Sequence, residues 1–178
     1  MLKIVGLFLV LSACCIADTL DLGKHGVLTV DVPAGWKFST QQIPDRGYAA
    51  ALRPESGENA GVKLSVIYLP NSSPIDPASL RSQLEKVAEQ YVATSVEQKI
   101  DLKKFGVASG YGEYVVFTDA SLVGKPEQKG NFKFIAPGLV KVSDDCIIAV
   151  TIVGDDPAGS IARQMLESVA SIKITPSK

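Results

Sequence analysis

Side chains able to do covalent or acid–base chemistry are scarce in these 178 residues, and their settings defeat the familiar templates. There is one histidine, His25, set between Gly23-Lys24 and Gly26, and any Ser-His-Asp or Cys-His arrangement would have to use it. Its neighbours read as an exposed loop. No Gly-x-Ser-x-Gly elbow occurs. Cys14 and Cys15 are adjacent near the start, and Cys146 stands alone in the body. A zinc site needs several His or Cys ligands at workable spacing, which one His and one isolated Cys cannot supply. Catalytic residues, metal ligands and cofactors are therefore expected to be none.

The remaining motifs have structural readings. Asp144-Asp145 and Asp155-Asp156 could suggest calcium binding or general acid–base work. The first pair falls in a hairpin turn and the second before Pro157-Ala158, where acids satisfy free backbone amides. Gly110-Tyr111-Gly112 imitates the start of a dinucleotide loop, but Val115 replaces the third glycine and strand-like residues follow. Asn71-Ser72-Ser73 fits a glycosylation sequon. Cys146 opens the apolar run Cys146–Val150 and reads as a buried, inert thiol.

What is left is surface. Ser121–Gly130 is a long polar excursion between two strands, with Lys125 and Lys129 near its tip, and such loops often carry binding. Trp36, Tyr48 and Tyr111 complete the candidate binding surface, because aromatics supply much interface energy. Each of them competes with a role in the core.

Residues 1–17 set the address. All but Lys3, Gly6 and Ser12 are apolar, and the order is a basic start, a short apolar stretch and a small-residue exit. That is the layout of a secretory signal, and the run is too short to span a bilayer. Leu11-Ser12-Ala13-Cys14 resembles the bacterial lipobox, which implies acylation of Cys14 and anchorage in the lipid bilayer through that residue. The alternative is a cut after Ala17, with Cys15 and Ala17 at the small-residue positions and a soluble periplasmic or secreted product. The lipoprotein reading is preferred, although Cys15 has no lipobox role. Residues 18–178 then form one domain, long enough to bury a core without a disulfide framework. With 18 basic and 19 acidic side chains, no field suited to nucleic acid exists.

The elements follow from periodicity. Val27–Val32, Tyr48–Arg53 and Val62–Tyr68 read as strands, and Pro33-Ala34-Gly35-Trp36 as the turn after the first. Asp76-Pro77-Ala78 opens a helix of about 18 residues with a capping acid and a first-turn proline. Leu80, Leu84, Val87, Ala88 and Tyr91 form its apolar stripe. Strands return at Glu97–Phe105, Gly112–Thr118, Asn131–Val142 and Cys146–Val153, the last apolar on both faces and therefore central. Asp156-Pro157-Ala158 repeats the capping signal before a closing helix with Ile161, Met165, Leu166, Val169 and Ile172 on one side. The expected class is α+β, a mostly antiparallel sheet with two long helices packed on it.

Val32-Pro33-Ala34-Gly35-Trp36 after an alternating strand, with this order of elements down to the Ile161–Ile172 helix, resembles the PsbP/Mog1-like α/β/α sandwich superfamily. Its bacterial branch includes DcrB-like exported lipoproteins. The resemblance implies an α/β/α sandwich over about residues 26–174 and brings no catalytic motif. The family's members are mostly binding or assembly proteins, and their particular roles do not transfer to this chain. The expected function is a non-enzymatic protein-binding or assembly factor of the cell envelope, held at a periplasmic membrane, with an unknown envelope protein as partner. The alternative is a small-ligand carrier or carboxylate-based enzyme with a cleft between sheet and helices.

Overall fold

Alternation over Val27–Val32 buries Leu28, Val30 and Val32 and leaves Asp31 in solvent, the pattern of a strand with one covered face. The computed structural model describes residues 16–43, 47–69, 75–108 and 110–176. In chain order the elements are β1 (Ile16–Asp21), β2 (Val27–Val32), β3 (Trp36–Ile43), β4 (Gly47–Pro54), β5 (Gly61–Tyr68), α1 (Pro77–Val92), β6 (Lys103–Lys104), β7 (Tyr111–Tyr114) and β8 (Phe117–Thr118). They continue as β9 (Phe134–Lys141), β10 (Cys146–Gly154), α2 (Ser160–Ala170) and β11 (Lys173–Thr175). The class is α+β. A large sheet runs β3-β4-β5-β10-β9-β7-β6 with β8 beside β9, and a small sheet runs β1-β2-β11. All of the pairings are antiparallel.

The apolar run at β10 takes the central place, and its two faces feed two cores. Cys146, Ile148, Val150 and Ile152 point to the larger core, shared with β2, β5 and α2. Ile147 points the other way, to Leu139, Val115 and Phe117 under the α1 stripe of Leu80, Leu84 and Ala88. The two helices therefore lie on opposite faces of the large sheet, with the small sheet sharing the α2 side.

Local chemistry fixes α1 as its sequence suggests. The Asp76 carboxylate accepts from the Ser79 amide at 2.8 Å, and Pro77 opens the helix. The second Asp-Pro-Ala does something different. Asp156 accepts from the Ala158 amide at 2.9 Å, a tight turn of its own, and α2 begins only at Ser160 after Gly159.

Three expected strands are altered. The segment expected as a strand over Glu97–Phe105 keeps only the short β6. Gln98 sits at φ 51°, and the Glu97 carboxylate caps the edge of β8 through the Thr118 amide and hydroxyl, both at 2.8 Å. Side-chain bonding there replaces a ladder. The strand expected over Gly112–Thr118 is split. Tyr114 faces Gly138 and Phe117 faces Ile135 in one register, so Val115 faces Pro137. The Val115 amide donates to the Pro137 carbonyl at 3.0 Å, and proline has no N–H to return. Asn131–Lys133 fall outside β9 because the Lys133 amide goes to the Asp155 carboxylate at 3.2 Å.

Three strands carry no clear signal in sequence. β1 takes in Ile16 and Ala17, paired with Val32 and Asp31; β3 is largely polar, and β11 is very short. Among the described residues, no helix is long and apolar enough to cross a membrane.

Candidate functional site

The five candidate binding residues are divided by the fold. Trp36 and Tyr48 are half-buried and pack against the larger core. Trp36 is held at the end of the Pro33 turn, its amide donating to the Pro33 carbonyl at 3.1 Å. Tyr111 packs against the α1 core, on the opposite face of the sheet. Lys125 and Lys129 are exposed on the long segment between β8 and β9. They do not make one surface. Cys14 and the Asn71–Ser73 sequon lie outside the described residues.

His25 is not the exposed loop residue its neighbours suggest. It is half-buried and stacks on Tyr68, ring centroids 3.7 Å apart and planes 21° from parallel. Burial pushes the Tyr68 hydroxyl well above the usual tyrosine range, and among the described residues that oxygen has no hydrogen-bond partner. Cys146, its cross-strand neighbour, is buried as expected, and its thiol is pushed up to about 12 by burial and by Asp145.

Tyr111 leads to a pair that sequence reading misses. Glu113 is one of the few buried polar residues, and Arg81 on α1 reaches it with Nε to Oε2 at 3.0 Å and Nη2 to Oε1 at 2.6 Å. Arg81 Nη2 also donates to the Tyr111 hydroxyl at 3.3 Å. The guanidinium holds the Glu113 carboxyl below the usual carboxylate range. A carboxylate tied this way has little capacity left for proton transfer, so the trio pins α1 to β7. The available signal was an acid at an inward position of an alternating strand.

Two acids beside α2 are also occupied. A cleft of about 340 Å³ beside the start of α2 is lined by Glu58, Glu127, Asp155 and Asp156. Asp155, however, accepts from Asn59 Nδ2 at 3.0 Å through each oxygen and from the Lys133 amide. Asp156 is spent on its turn. Asn59 also donates to the Asn131 carbonyl at 2.9 Å and accepts from the Gly130 amide at 3.0 Å, so this node ties down the base of the long segment. Among the described residues no group of three or more His, Cys, Asp or Glu side chains is arranged to hold a metal.

A larger concavity is a trough on the α1 side of the large sheet, over β3, β4 and β5, beyond the reach of the helix. Its volume is about 470 Å³. Register builds the floor in rows: Ser39, Ala51, Lys63 and Thr151 lie across one line, and Gln41 and Ala49 face each other in the next. Small side chains keep it shallow. Phe132 stands at its rim, and the charged groups lining it are Arg53 and Lys63. Lys37 lies directly opposite Arg53 on the same face. None of these three cations forms an ion pair among the described residues. The signal in the sequence was Ala49-Ala50-Ala51, small residues that favour strands poorly and are placed in one.

No protein-family model matches the chain, and no curated protein matches it.

Proposed function

We propose that this protein is an exported, lipid-anchored, non-enzymatic binding protein of the cell envelope, and that its trough receives an acidic segment of a partner protein. The observation that carries the reading is the facing of Lys37 on Arg53, with Lys63 lining the same trough. Like charges directly opposite on a strand pair cost stability, and a carboxylate-rich segment laid across them offsets that cost. Small floor residues leave room for a backbone to approach closely.

The anchor rests on Leu11-Ser12-Ala13-Cys14. What supports a cut before Cys14 is the position of β1, which starts at Ile16 with a rung to Val32. That cut leaves the strand whole, whereas a cut after Ala17 removes its first two rungs. The layering, one helix on each face of an antiparallel sheet, favours the PsbP/Mog1-like sandwich.

A photo-crosslinking residue at Ala51, expressed in intact cells, tests the trough. The expected result is a discrete adduct with an envelope protein, lost in the Arg53→Glu, Lys63→Glu double variant and absent with the probe at Glu89 on α1. An adduct that survives the charge reversal overturns the docking face. Cys14→Ser tests the anchor separately and is expected to release the protein from membranes. The trough volume also favours a second reading, a small-ligand carrier, since it lies in the range of small-molecule sites. Binding of a low-molecular-weight acid with no protein adduct would replace the first reading with the second.

A further inference from the structure

The large sheet ends on β3, and among the described residues that edge is open. β3 is eight residues long, with nothing paired to its outer side among the described residues. Natural sheets blunt such edges with prolines, charges, bulges or short strands. Phe38-Ser39-Thr40-Gln41-Gln42-Ile43 has no proline and no charge, and Ser39 through Gln42 are all exposed. The far end of the same sheet is treated differently: β6 has two residues, both lysine.

The ladder shows which backbone groups of β3 face outward. Trp36 lies opposite Pro54, which has no N–H to give, and the Trp36 amide turns back to the Pro33 carbonyl. One step earlier, the Glu55 amide donates to the Gly35 carbonyl at 2.8 Å. Odd-numbered residues of β3 therefore exchange bonds with β4. Phe38, Thr40 and Gln42 direct their N–H and C=O groups away from the sheet. Each is a donor and an acceptor without a partner strand.

From this geometry we infer that β3 pairs with β3 of a second copy of this chain, antiparallel about a two-fold axis at Thr40. In that register Thr40 meets Thr40, and Phe38 meets Gln42 from either side. Every outward-facing residue then finds an outward-facing residue, giving about six backbone hydrogen bonds. A shift by one residue would set outward groups against residues already bonded to β4. Charge agrees with the same register: Lys37 meets Ile43 of the second copy and not another lysine, and threonine opposite threonine is a favourable pair. The contact is self-complementary, as a two-fold interface must be, and it continues the two large sheets into one. It stands on the β3 ladder alone and is independent of the trough and its partner.

Disulfide trapping in intact cells, with the full chain carrying its leader, tests this directly. The α-carbons of a hydrogen-bonded antiparallel pair are about 5.5 Å apart, within disulfide reach. Thr40→Cys is expected to give a band of twice the chain mass on a non-reducing gel, above the wild-type background from the native cysteines. Lys37→Cys, whose copies lie about 20 Å apart in this register, is expected to give none. In sedimentation of the processed protein in detergent, Thr40→Lys sets two ammonium groups face to face and is expected to weaken the dimer at least tenfold. Its thermal midpoint at dilutions where both proteins are monomeric should match the wild type. The inference is overturned by a monomeric wild type at all concentrations, by equal trapping at positions 37 and 40, or by a Thr40→Cys adduct of another mass.

Discussion

Arg81 and Glu113 meet edge to edge between α1 and β7, both carboxylate oxygens engaged, at 3.0 and 2.6 Å. Glu113 is 3% exposed on its side chain while Arg81 is 48% exposed, so the acid is the partner that suffers when the pair is broken. Its folded-state pKa is depressed below the unfolded value, mainly by the Arg81 hydrogen bonds. Such a group adds stability above the unfolded pKa and loses it as pH falls through the folded one. The wild type is therefore expected to lose thermal stability from about pH 5 downward. Glu113→Gln should lower the midpoint at pH 7 and flatten that acid limb. Arg81→Met should be worse at pH 7, because it leaves a buried charge unpaired. Equal pH profiles for the wild type and Glu113→Gln would remove this pair from the acid limb.

Asn59 is expected to act at a distance along the chain. Its amide connects Asp155, Asn131 and Gly130, and Lys133 joins through the same carboxylate. Asn59→Ala leaves several part-buried polar groups without partners, which costs about 1–3 kcal/mol. The freed segment should be cut by trypsin after Lys129, faster than in the wild type. Lys125 precedes Pro126, so cleavage there should stay slow in both. An unchanged cutting rate at Lys129 would show that the segment is held by something else.

The contrast between Asp76 and Asp156 explains what was legible in the sequence. Capping at Asp76 depends on residues within one turn, so the motif suffices. The same tripeptide at Asp156 forms a turn instead, because Gly159 lets the helix start later. The break between β7 and β8 depends on Pro137, more than 20 positions away, and only register reveals that it faces Val115. β3 escaped for a related reason. Its polar residues give no apolar alternation from Ser39 to Gln42, and what makes it a strand is the partner β4. The trough and the Arg81–Glu113 pair are likewise products of pairing across the sheet, and neither is written in any local stretch. Gly110 leads into β7, as the strand-like residues after it require. Its φ of 105° and the Lys141 carbonyl beside its α-carbon leave no room for a side chain.

Cys146 tests the larger core. Its thiol is buried, and a pKa pushed up to about 12 leaves roughly one molecule in ten thousand as thiolate at pH 8. Alkylation at pH 8, read on the peptide that contains it, is expected to be negligible in the folded protein and rapid once denaturant unfolds it. Modification without unfolding would mean that β10 opens locally at the Tyr68 end.

Gly138 tests the same core toward the β7 edge of the sheet. It sits opposite Tyr114 on β9, and the reason for glycine there is space, not backbone conformation. A β-carbon would lie 2.6 and 2.8 Å from two ring carbons of Phe105 and 3.0 Å from the Glu113 carbonyl. The Phe105 ring is itself stacked on Tyr114, centroids 4.6 Å apart, so it cannot swing away without breaking that contact. Gly138→Ala is expected to cost about 1–3 kcal/mol in denaturant unfolding, the range for overpacked cores. Phe105→Leu removes the clashing ring atoms at its own cost in burial. The two changes together should therefore destabilise less than the sum of the singles, whereas simple additivity would show that the penalty arises from the Glu113 carbonyl instead.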